Sequence, residues 1–422
     1  MRIAIIGAGV SGLTAAHHLQ ADHEITIFEA DSHIGGHANT LSVEEAGREI
    51  PIDTGFIVFN DWTYPHFQEM VLPLGVDIHN SDMGFSAKSE STKFEWAGNT
   101  LASLIFNRDN FWRLQPYQIL FDMLRFNKQA KRYVAANKDS HWTLAEFLAE
   151  HRFSDAFINY YILPMGAAIW SSSPASIQEY PAASFLHFFQ NHGLLNLFKR
   201  PQWKTIVGGS KEYVSRLCQP FREKIHLNTA VCSVHRTRSG VQIETSNNHN
   251  LQYFDHVIFA CHSDQALRLL EQPTTLEQDC LSALNYQLNI ATLHSDSSLM
   301  PKRKNSWAAW NYYIPEKPTD RVQLTYYMNL LQKIESDKDY FVTLNDDGLI
   351  DEACVYARVN YMHPVFNQAA IEAQQQFTTM NQLNNTSYCG AYWRHGFHED
   401  GVWSALQAVN AIKRKCNEAN TA

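Results

Sequence analysis

The stretch RIAIIGAGVSGLTAAHHLQADHEITIF, residues 2–28, decides the fold of this 422-residue chain. It contains the β-branched run Arg2 to Ile6, then GAGVSG, then an alanine-rich segment from Leu13 to Leu19, and finally the run Glu24 to Phe28. Short apolar runs bounded by turn residues predict strands, and the alanine-rich segment between them predicts a helix. The chain therefore opens with a βαβ unit.

The glycines of this unit predict a dinucleotide site. Gly7, Gly9 and Gly12 form GxGxxG between the strand and the helix, where glycine permits a tight turn and the close approach of a pyrophosphate. The phosphates would lie at the helix N-terminus, whose free N–H groups favour an anion. Glu29 follows the second strand and is placed to accept hydrogen bonds from a ribose diol, which argues against NADP. From this motif alone, FAD, NAD and a glycine turn without a ligand all stay open.

Composition narrows the functional class. The hydrophobic fraction of 45% and aromatic fraction of 12% are those of a globular protein. A formal charge of −9 argues against nucleic-acid binding. The longest apolar run, Ile162 to Trp170, is shorter than the roughly 20 residues of a membrane span. Because a strand follows Met1 directly and the seven cysteines form no CxxC pair, we expect a cytoplasmic protein with reduced thiols and no metal site.

Later segments predict two interleaved domains. Strand-like runs occur at residues 224–227, 231–235, 241–245 and 256–260, and again at 290–294 and 321–328, whereas Phe111 to Val134 has helix-like apolar spacing. With no repeat and no obvious linker, we expect discontinuous domains. One comprises residues 1–84, 200–284 and 386–422, and the other comprises 85–199 and 285–385.

Four further segments resemble the flavin amine oxidase superfamily, in its order. They are EADSHIGGHANT (29–40), WKTIVGGSKEYV (203–214) with the strand 231–234 after it, DHVIFACHSDQAL (255–267), and YCGAYWRHGFHEDGVWSALQAV (388–409). Adjacent glycines such as Gly35 and Gly36 let the backbone approach a cofactor closely. The resemblance implies an α/β fold in which a Rossmann-like FAD-binding domain of the glutathione-reductase type is interleaved with an α+β substrate-binding domain.

The resemblance also implies which residues bind FAD. They are Gly7, Gly9, Val10, Ser11, Gly12, Glu29, Ala30, Gly35, Gly36, His37, Val231, Ala260, Gly390, Gly401 and Val402. A helix beginning near Gly401 to Ser404 would aim its N-terminus at the flavin pyrimidine carbonyl, where it stabilises the charge of reduced flavin. His37 departs from the family, which commonly has arginine there, so a cationic contact is lost or replaced. Cys389 differs in position from the cysteine of covalently flavinylated members, and we expect noncovalent FAD.

The substrate side resembles a narrower group. The phrases LPMGAAIWSSSP (163–174), FFQNHGLL (188–195), LTYYMNLLQ (324–332) and GFHEDG (396–401) are similar to a bacterial subgroup linked to cyclopropane-synthase-like methyltransferases and furan fatty acid synthesis. That likeness implies the oxidation, by desaturation, of a fatty-acyl or phospholipid substrate, with a lipid methyltransferase as partner. The aromatic segments 163–173, 185–195 and 307–313, with Tyr326 and Tyr327, would line an apolar cleft or simply form core.

Desaturation requires a base for the second hydrogen, which leaves as a proton. The alignment with the family suggests His395, His398 and Glu399 as candidates, although polar residues before a helix also serve as caps. Asn311 and Tyr312 are weaker candidates. An amine oxidase acting on a small amine or polyamine, and a non-catalytic flavin-binding partner of a lipid methyltransferase, are the competing functions.

Two segments combine cations with aromatics, as membrane-surface elements do. They are Phe111 to Val134 and Leu194 to Lys204. The alternative interpretation is a solvated helix face and a loop. Peripheral membrane contact is therefore a hypothesis at this point.

Overall fold

A computed structural model describes residues 1–98, 110–136, 141–196, 198–317, 319–381 and 384–421. The strands are β1 (Arg2–Ile6), β2 (Glu24–Phe28), β3 (Thr40–Glu45), β4 (Arg48–Asp53), β5 (Phe59–Asn60), β6 (Ile78–Asn80), β7 (Phe85–Ser89), β8 (Glu95–Ala97), β9 (Trp203–Ile206), β10 (Ile225–His226), β11 (Val231–Thr237), β12 (Gly240–Thr245), β13 (Asn248–Phe254), β14 (His256–Phe259), β15 (Asn285–His294), β16 (Trp310–Ile314), β17 (Leu324–Tyr327), β18 (Phe341–Leu344), β19 (Val355–Val365) and β20 (Thr386–Tyr388).

The α-helices are likewise taken in chain order. They are α1 (Val10–Leu19), α2 (Pro65–Val71), α3 (Gln115–Ala135), α4 (Leu144–Glu150), α5 (Asp155–Phe157), α6 (Leu163–Trp170), α7 (Pro174–Gln178), α8 (Ala182–Asn191), α9 (Lys211–Cys218), α10 (Ser263–Leu269), α11 (Thr275–Ser282), α12 (Met328–Leu331), α13 (Gln368–Gln374), α14 (Phe377–Met380) and α15 (His398–Thr421).

A parallel five-stranded sheet in the order β10-β2-β1-β14-β20 holds the glycine turn. Ile3 to Ile6 of β1 are buried because helices or other layers cover both faces of such a sheet. The helices α1 and α15 pack against each other beside it. The predicted βαβ unit is confirmed, and α1 begins at Val10, directly after Gly9.

A second sheet, of seven strands, lies in the order β19-β15-β18-β17-β16-β7-β8. Helices α3, α6 and α8 contribute Phe126, Leu163 and Phe185 to the same buried cluster as Tyr312 of β16. All of its strands come from residues 85–97 and 285–365, whereas the parallel sheet draws on 2–28, 225–259 and 386–388. The chain thus crosses between the two sheets repeatedly.

The C-terminal helix begins earlier than the sequence predicts. We expected a start near Gly401, but α15 starts at His398 because Asp400 accepts the backbone N–H groups of His395 (3.2 Å) and Phe397 (3.0 Å) and so caps that end. His398 and Glu399 are therefore in the first turn rather than before it. Among the described helices, none has the length and apolar character to cross a membrane.

Candidate functional site

The three fingerprint glycines have distinct steric roles. A Cβ on Gly12 would lie 2.0 Å from the carbonyl oxygen of Gly7, and one on Gly7 would lie 2.7 Å from that of Ala260. A Cβ on Gly9, by contrast, meets no atom within 4 Å. Gly7 and Gly12 are thus required for close packing of β1, α1 and β14, and Gly9 borders open space where a phosphate group would fit.

The glycine doublet lies against this turn. Gly35 donates its N–H to the carbonyl of Ala8 (2.9 Å), and a Cβ on Gly36 would lie 3.2 Å from the Cα of Gly9. Both doublet glycines have positive φ, +125° and +58°. Any side chain there would be strained, and one on Gly36 would crowd Gly9.

Glu29 lies directly after β2, beside the glycine turn. Its carboxylate accepts the N–H groups of Ala8 (2.7 Å) and Asp31 (2.9 Å), so the side chain is fixed beside the glycine turn. The backbone of Thr229 donates to the carbonyl of Glu29 (2.8 Å), which places the start of β11, including Val231, alongside this segment. Ala30 is exposed there.

The C-terminal segment, residues 388–409, packs directly against the glycine turn of residues 7–12. A Cβ on Gly401 would lie 2.8 Å from Cγ1 of Val10 and 2.9 Å from Oγ of Ser11, so Gly401 lets α15 pack on α1. Val10 and Val402 are buried in one core cluster, so their side chains serve packing. Gly390 is held by Ser404, whose Oγ accepts the Gly390 N–H (2.9 Å) and donates to its carbonyl (3.1 Å). Sequence reasoning missed this role of Ser404.

The three candidate bases have different environments. The Glu399 carboxylate accepts the N–H groups of His66 (3.1 Å) and Phe67 (2.9 Å), the first turn of α2, and also contacts Nδ1 of His66 (2.6 Å). It serves as a helix cap. His398 stacks on Phe56 with ring centroids 3.7 Å apart and bonds the Tyr213 hydroxyl (2.9 Å). Burial lowers the pKa of His398 to about 3.

His395 faces another part of the molecule. Its ring lies 5.5 Å from that of Phe188 on α8, and among the described residues its ring nitrogens have no hydrogen-bond partner. Burial lowers the pKa of His395, against the opposing effect of Asp400, so the ring is neutral at physiological pH. Of the three candidates it alone combines a free nitrogen with contact to the substrate-side helices. Asn311 and Tyr312 are buried, and Asn311 is engaged by Ser86 and Ala308.

A buried carboxylate that sequence reasoning missed, Asp53 at the end of β4, connects segments that are far apart in the chain. Asp53 accepts hydrogen bonds from Thr40 (2.6 Å) and from the N–H and hydroxyl of Ser210, which follows the second glycine doublet. Gln332, beside α12, donates to Asp53 (3.1 Å) and accepts its N–H (2.9 Å). Burial raises the pKa of Asp53 to about 6 even though its hydrogen bonds act in the opposite direction. No local pattern predicts a pair 279 residues apart.

Cys389 is fully buried in the core beside α15. Burial raises the pKa of its thiol, which therefore stays protonated and unreactive at physiological pH. No group of three or more metal-ligating side chains occurs among the residues that the structure describes.

Comparison with known proteins identifies the family. Residues 10–294 match the model of the flavin-containing amine oxidoreductases. This chain belongs to the flavin-containing amine oxidoreductase family. The predicted superfamily, the α/β fold with a Rossmann-like FAD domain, and FAD as cofactor are thereby confirmed. The open turn at Gly9 and the fixed Glu29 fit that cofactor.

Two solved structures share the fold over nearly the whole chain. Cyclohexylamine oxidase from Brevibacterium oxydans IH-35A superposes with a TM-score of 0.69 at 15% identity, covering 99% of both chains. A fatty acid isomerase from P. acnes that produces CLA superposes with a TM-score of 0.67 at 15% identity, covering 98% of both chains. At such identities the likeness concerns the fold alone.

Curated relatives in sequence match only in part. Carotenoid phi-ring synthase of Chlorobaculum tepidum is 29% identical over 106 residues, which are 24% of this chain and 16% of that protein. The 4,4'-diapophytoene desaturase of Staphylococcus aureus is 52% identical over 42 residues, 10% of this chain and 8% of the other. The matches thus span less than a fifth of either relative.

Proposed function

We propose that this FAD-dependent oxidoreductase desaturates a fatty-acyl or phospholipid substrate by hydride transfer to flavin N5. The observation that carries the proposal is an aromatic array in which two buried polar groups have no hydrogen-bond partner in the described part of the chain. Bound FAD supplies the hydride acceptor. The protein's own residues would hold the chain, exclude water and take up the proton.

The array joins the substrate-side helices to the C-terminal signature. The ring centroid of Trp170 at the end of α6 lies 4.6 Å from that of Tyr180 and 4.7 Å from that of Phe188 on α8. Phe188 stacks on Phe397, 5.2 Å away, directly before α15. An acyl chain lying along these rings would extend toward His395, with Asp400 as the carboxyl group that acts on both Tyr180 and His395.

The two histidines beside the array are neutral at physiological pH. His192 stacks on Phe188 at 3.7 Å, and burial lowers its pKa to about 4. Burial lowers the pKa of His395 as well. Neutral imidazoles and aromatic rings favour an apolar substrate over a protonated amine, and the Asp400 carboxyl group beside them is engaged by the N–H groups of His395 and Phe397.

Two polar atoms inside the array point to an ester or carboxyl group. Trp170 Nε1 and the Tyr180 hydroxyl are buried, with no hydrogen-bond partner among the described residues. Buried donors are seldom left unpaired in native proteins, and in this proposal a ligand acceptor pairs with them. The carbonyl of an acyl chain supplies such an acceptor.

His395 is the proposed base. In this assignment one hydrogen of the substrate leaves with its electron pair to FAD, and the other leaves as a proton to the neutral imidazole. The product carries a carbon–carbon double bond, and an acceptor such as oxygen reoxidises the flavin. The names of two similar proteins, a diapophytoene desaturase and a fatty acid isomerase, also refer to apolar chains.

The outward face of α3 is proposed to contact the membrane. Trp112 and Leu114, directly before α3, are 88% and 74% exposed, and on the helix itself Tyr117, Phe121 (63% exposed) and Leu124 form one exposed apolar face. A helix normally directs its apolar side chains inward, so these side chains indicate an apolar environment outside the protein.

Cations lie next to this apolar face. Lys128, Lys131 and Arg132 are exposed at the C-terminal end of α3, and Asp122, the only acidic residue of the helix, is buried. Lys131 donates to Asn196 (2.8 Å), which joins α3 to the second basic segment, near Lys199 and Arg200. In that segment Phe198 is 93% exposed, and Leu197 lies outside the described residues. A basic, aromatic surface on a chain of charge −9 favours an anionic bilayer.

Product analysis tests the proposed reaction. The holoprotein is incubated aerobically with phospholipid vesicles containing methylated or unsaturated acyl chains, and the masses of the acyl chains are then measured by mass spectrometry. We expect product chains two hydrogens lighter, and we expect Tyr180→Phe and Trp170→Phe to raise KM for acyl esters while keeping FAD. Oxidised simple amines with unchanged lipids would support the amine oxidase alternative. A reducible flavin with neither product would support the non-catalytic partner.

A further inference from the structure

Three histidines from distant parts of the chain converge at the glycine turn. His37 follows Gly36, which lies against Gly9, and His262 is two residues after Ala260, which lies against Gly7. The third, His363, is on β19 of the other sheet, and its ring centroid is 5.3 Å from that of His37. His262 is close enough to influence the pKa of both other histidines.

A relay of amides fixes the proton position of His363. Asn345 Oδ1 accepts the N–H of Ile290 (3.0 Å), so its Nδ2 donates to Asn289 Oδ1 (2.8 Å). The Nδ2 of Asn289 must then donate to Nδ1 of His363 (2.9 Å). Nδ1 is therefore an acceptor, and His363 is a neutral ring that carries its proton on Nε2. Burial, which lowers its pKa to about 4, acts in the same direction.

The ring of His37, unlike that of His363, is not fixed by a hydrogen bond among the described residues. Its ring packs on Tyr361 at 4.7 Å, and its nitrogens have no hydrogen-bond partner among the described residues. The titratable groups that act on it are His363 on β19, His262 after β14 and His398 on α15. Burial and these neighbours hold the pKa of His37 well below its ordinary value, so the ring is neutral in the FAD-free protein.

Carboxylates around this cluster have partners of their own. Glu29 accepts the N–H of Ala8, one oxygen of Asp264 beside His262 accepts from Arg268 (2.8 Å), and Asp53, which acts on Tyr361, accepts from Thr40 and Ser210. None of the groups acting on His37 is a lysine, an arginine or a carboxylate. A doubly charged pyrophosphate at the glycine turn would thus be the dominant charge near His37.

We propose that His37 is the cationic contact of this chain for the FAD pyrophosphate, and that FAD binding takes up a proton on this side chain. An arginine at this position would be charged in every state. A histidine is charged only when the anion is present, while His363 contributes a neutral N–H donor. Cofactor retention in this protein is thereby coupled to pH.

The direction of the coupling follows from linkage. The phosphates raise the pKa of His37 from its lowered value, so binding takes up a proton at pH values between the two pKa values. FAD affinity is greatest at low pH and falls by up to about tenfold per pH unit across that window. Below the FAD-free pKa the affinity is constant.

Titration of FAD-free protein with FAD tests the coupling. Dissociation constants are measured by quenching of flavin fluorescence at pH 6 and pH 8. The proton count comes from binding enthalpies in HEPES and in Tris at one pH. We expect weaker affinity at pH 8 than at pH 6, by up to about tenfold per pH unit, with proton uptake on binding. His37→Arg should bind equally at both pH values without uptake, and His37→Gln should bind weakly at both.

His79→Gln is the matched control, because His79 is an exposed histidine on β6 away from the cluster. It should retain the wild-type pH dependence. Equal affinity at both pH values with no proton uptake in the wild-type protein would overturn the proposal, whether or not the variants fold. So would an unchanged pH dependence in His37→Arg.

Discussion

The Cβ position of Gly12 lies 2.0 Å from the carbonyl oxygen of Gly7, whereas the Cβ position of Gly9 meets no atom within 4 Å. The backbone of Gly9, at φ −75° and ψ 179°, is open to any residue. Two glycines of one motif therefore differ in what they contribute. Gly12 is required by the close packing of the fold, and we predict that Gly9 is required by the ligand.

Alanine substitutions should separate these contributions. Gly12→Ala should lower the free energy of unfolding by about 1–3 kcal/mol or more, because its methyl group displaces α1 from β1. Gly9→Ala should leave the stability of the FAD-free protein unchanged or slightly raised, yet reduce FAD binding. Urea unfolding and bound flavin absorbance measure both quantities. Stoichiometric FAD in Gly9→Ala would contradict this account of the turn.

His395→Gln should slow flavin reduction by about 10²–10⁴-fold while retaining FAD, because it removes the proposed base. Burial keeps the pKa of His395 below 6.5, and a base acts in its neutral form. The wild-type rate constant for reduction should therefore rise with pH through that pKa and level off at neutral pH. Stopped-flow reduction at several pH values measures this. The same profile in His395→Gln would exclude His395 as the base.

Glu399→Gln should affect stability more than catalysis. The carboxylate accepts two backbone N–H groups at the start of α2, and weakening this cap should cost about 1–3 kcal/mol of unfolding free energy. The flavin reduction rate should change less than twofold. A large loss of the flavin reduction rate, with stability and FAD content unchanged, would instead indicate that Glu399 acts as the base.

Phe121→Ser with Trp112→Ser should weaken binding to anionic vesicles. In the wild-type protein both aromatic side chains would move from water into the bilayer on binding, and the variant loses this contribution. Lys128→Gln with Lys131→Gln should weaken it as well, and salt should have the same effect on the wild-type protein. Vesicle co-sedimentation measures binding. Tyr253→Ser, at an exposed aromatic residue of β13, is the control. Binding that is insensitive to both pairs would remove α3 as the docking surface.

Sequence reasoning succeeded where a signal is local. The run from Arg2 to Phe28 specifies its own strands and helix, and the segment from Phe111 to Val134 corresponds closely to α3. The start of α15 was wrong by three residues because the cap comes from Asp400, within the helix itself. The domain limits and the assignment of individual FAD contacts stay predictions.

Other features depend on tertiary contacts that no local pattern carries. Asp53 and Gln332 meet across 279 positions, and His363 reaches His37 only because β19 pairs with β15 at the edge of the second sheet. Similarly, the sequence grouped His395, His398 and Glu399 by adjacency. The structure directs His398 and Glu399 toward α2 and its neighbours, and His395 toward α8.

The most direct test of lipid oxidation is to mix the yellow holoprotein anaerobically with phospholipids and to monitor the flavin absorbance. The account predicts bleaching by methylated or unsaturated acyl lipids, with one double bond formed per flavin reduced, and no bleaching by simple amines. Bleaching by amines alone, with every lipid inert, would contradict it.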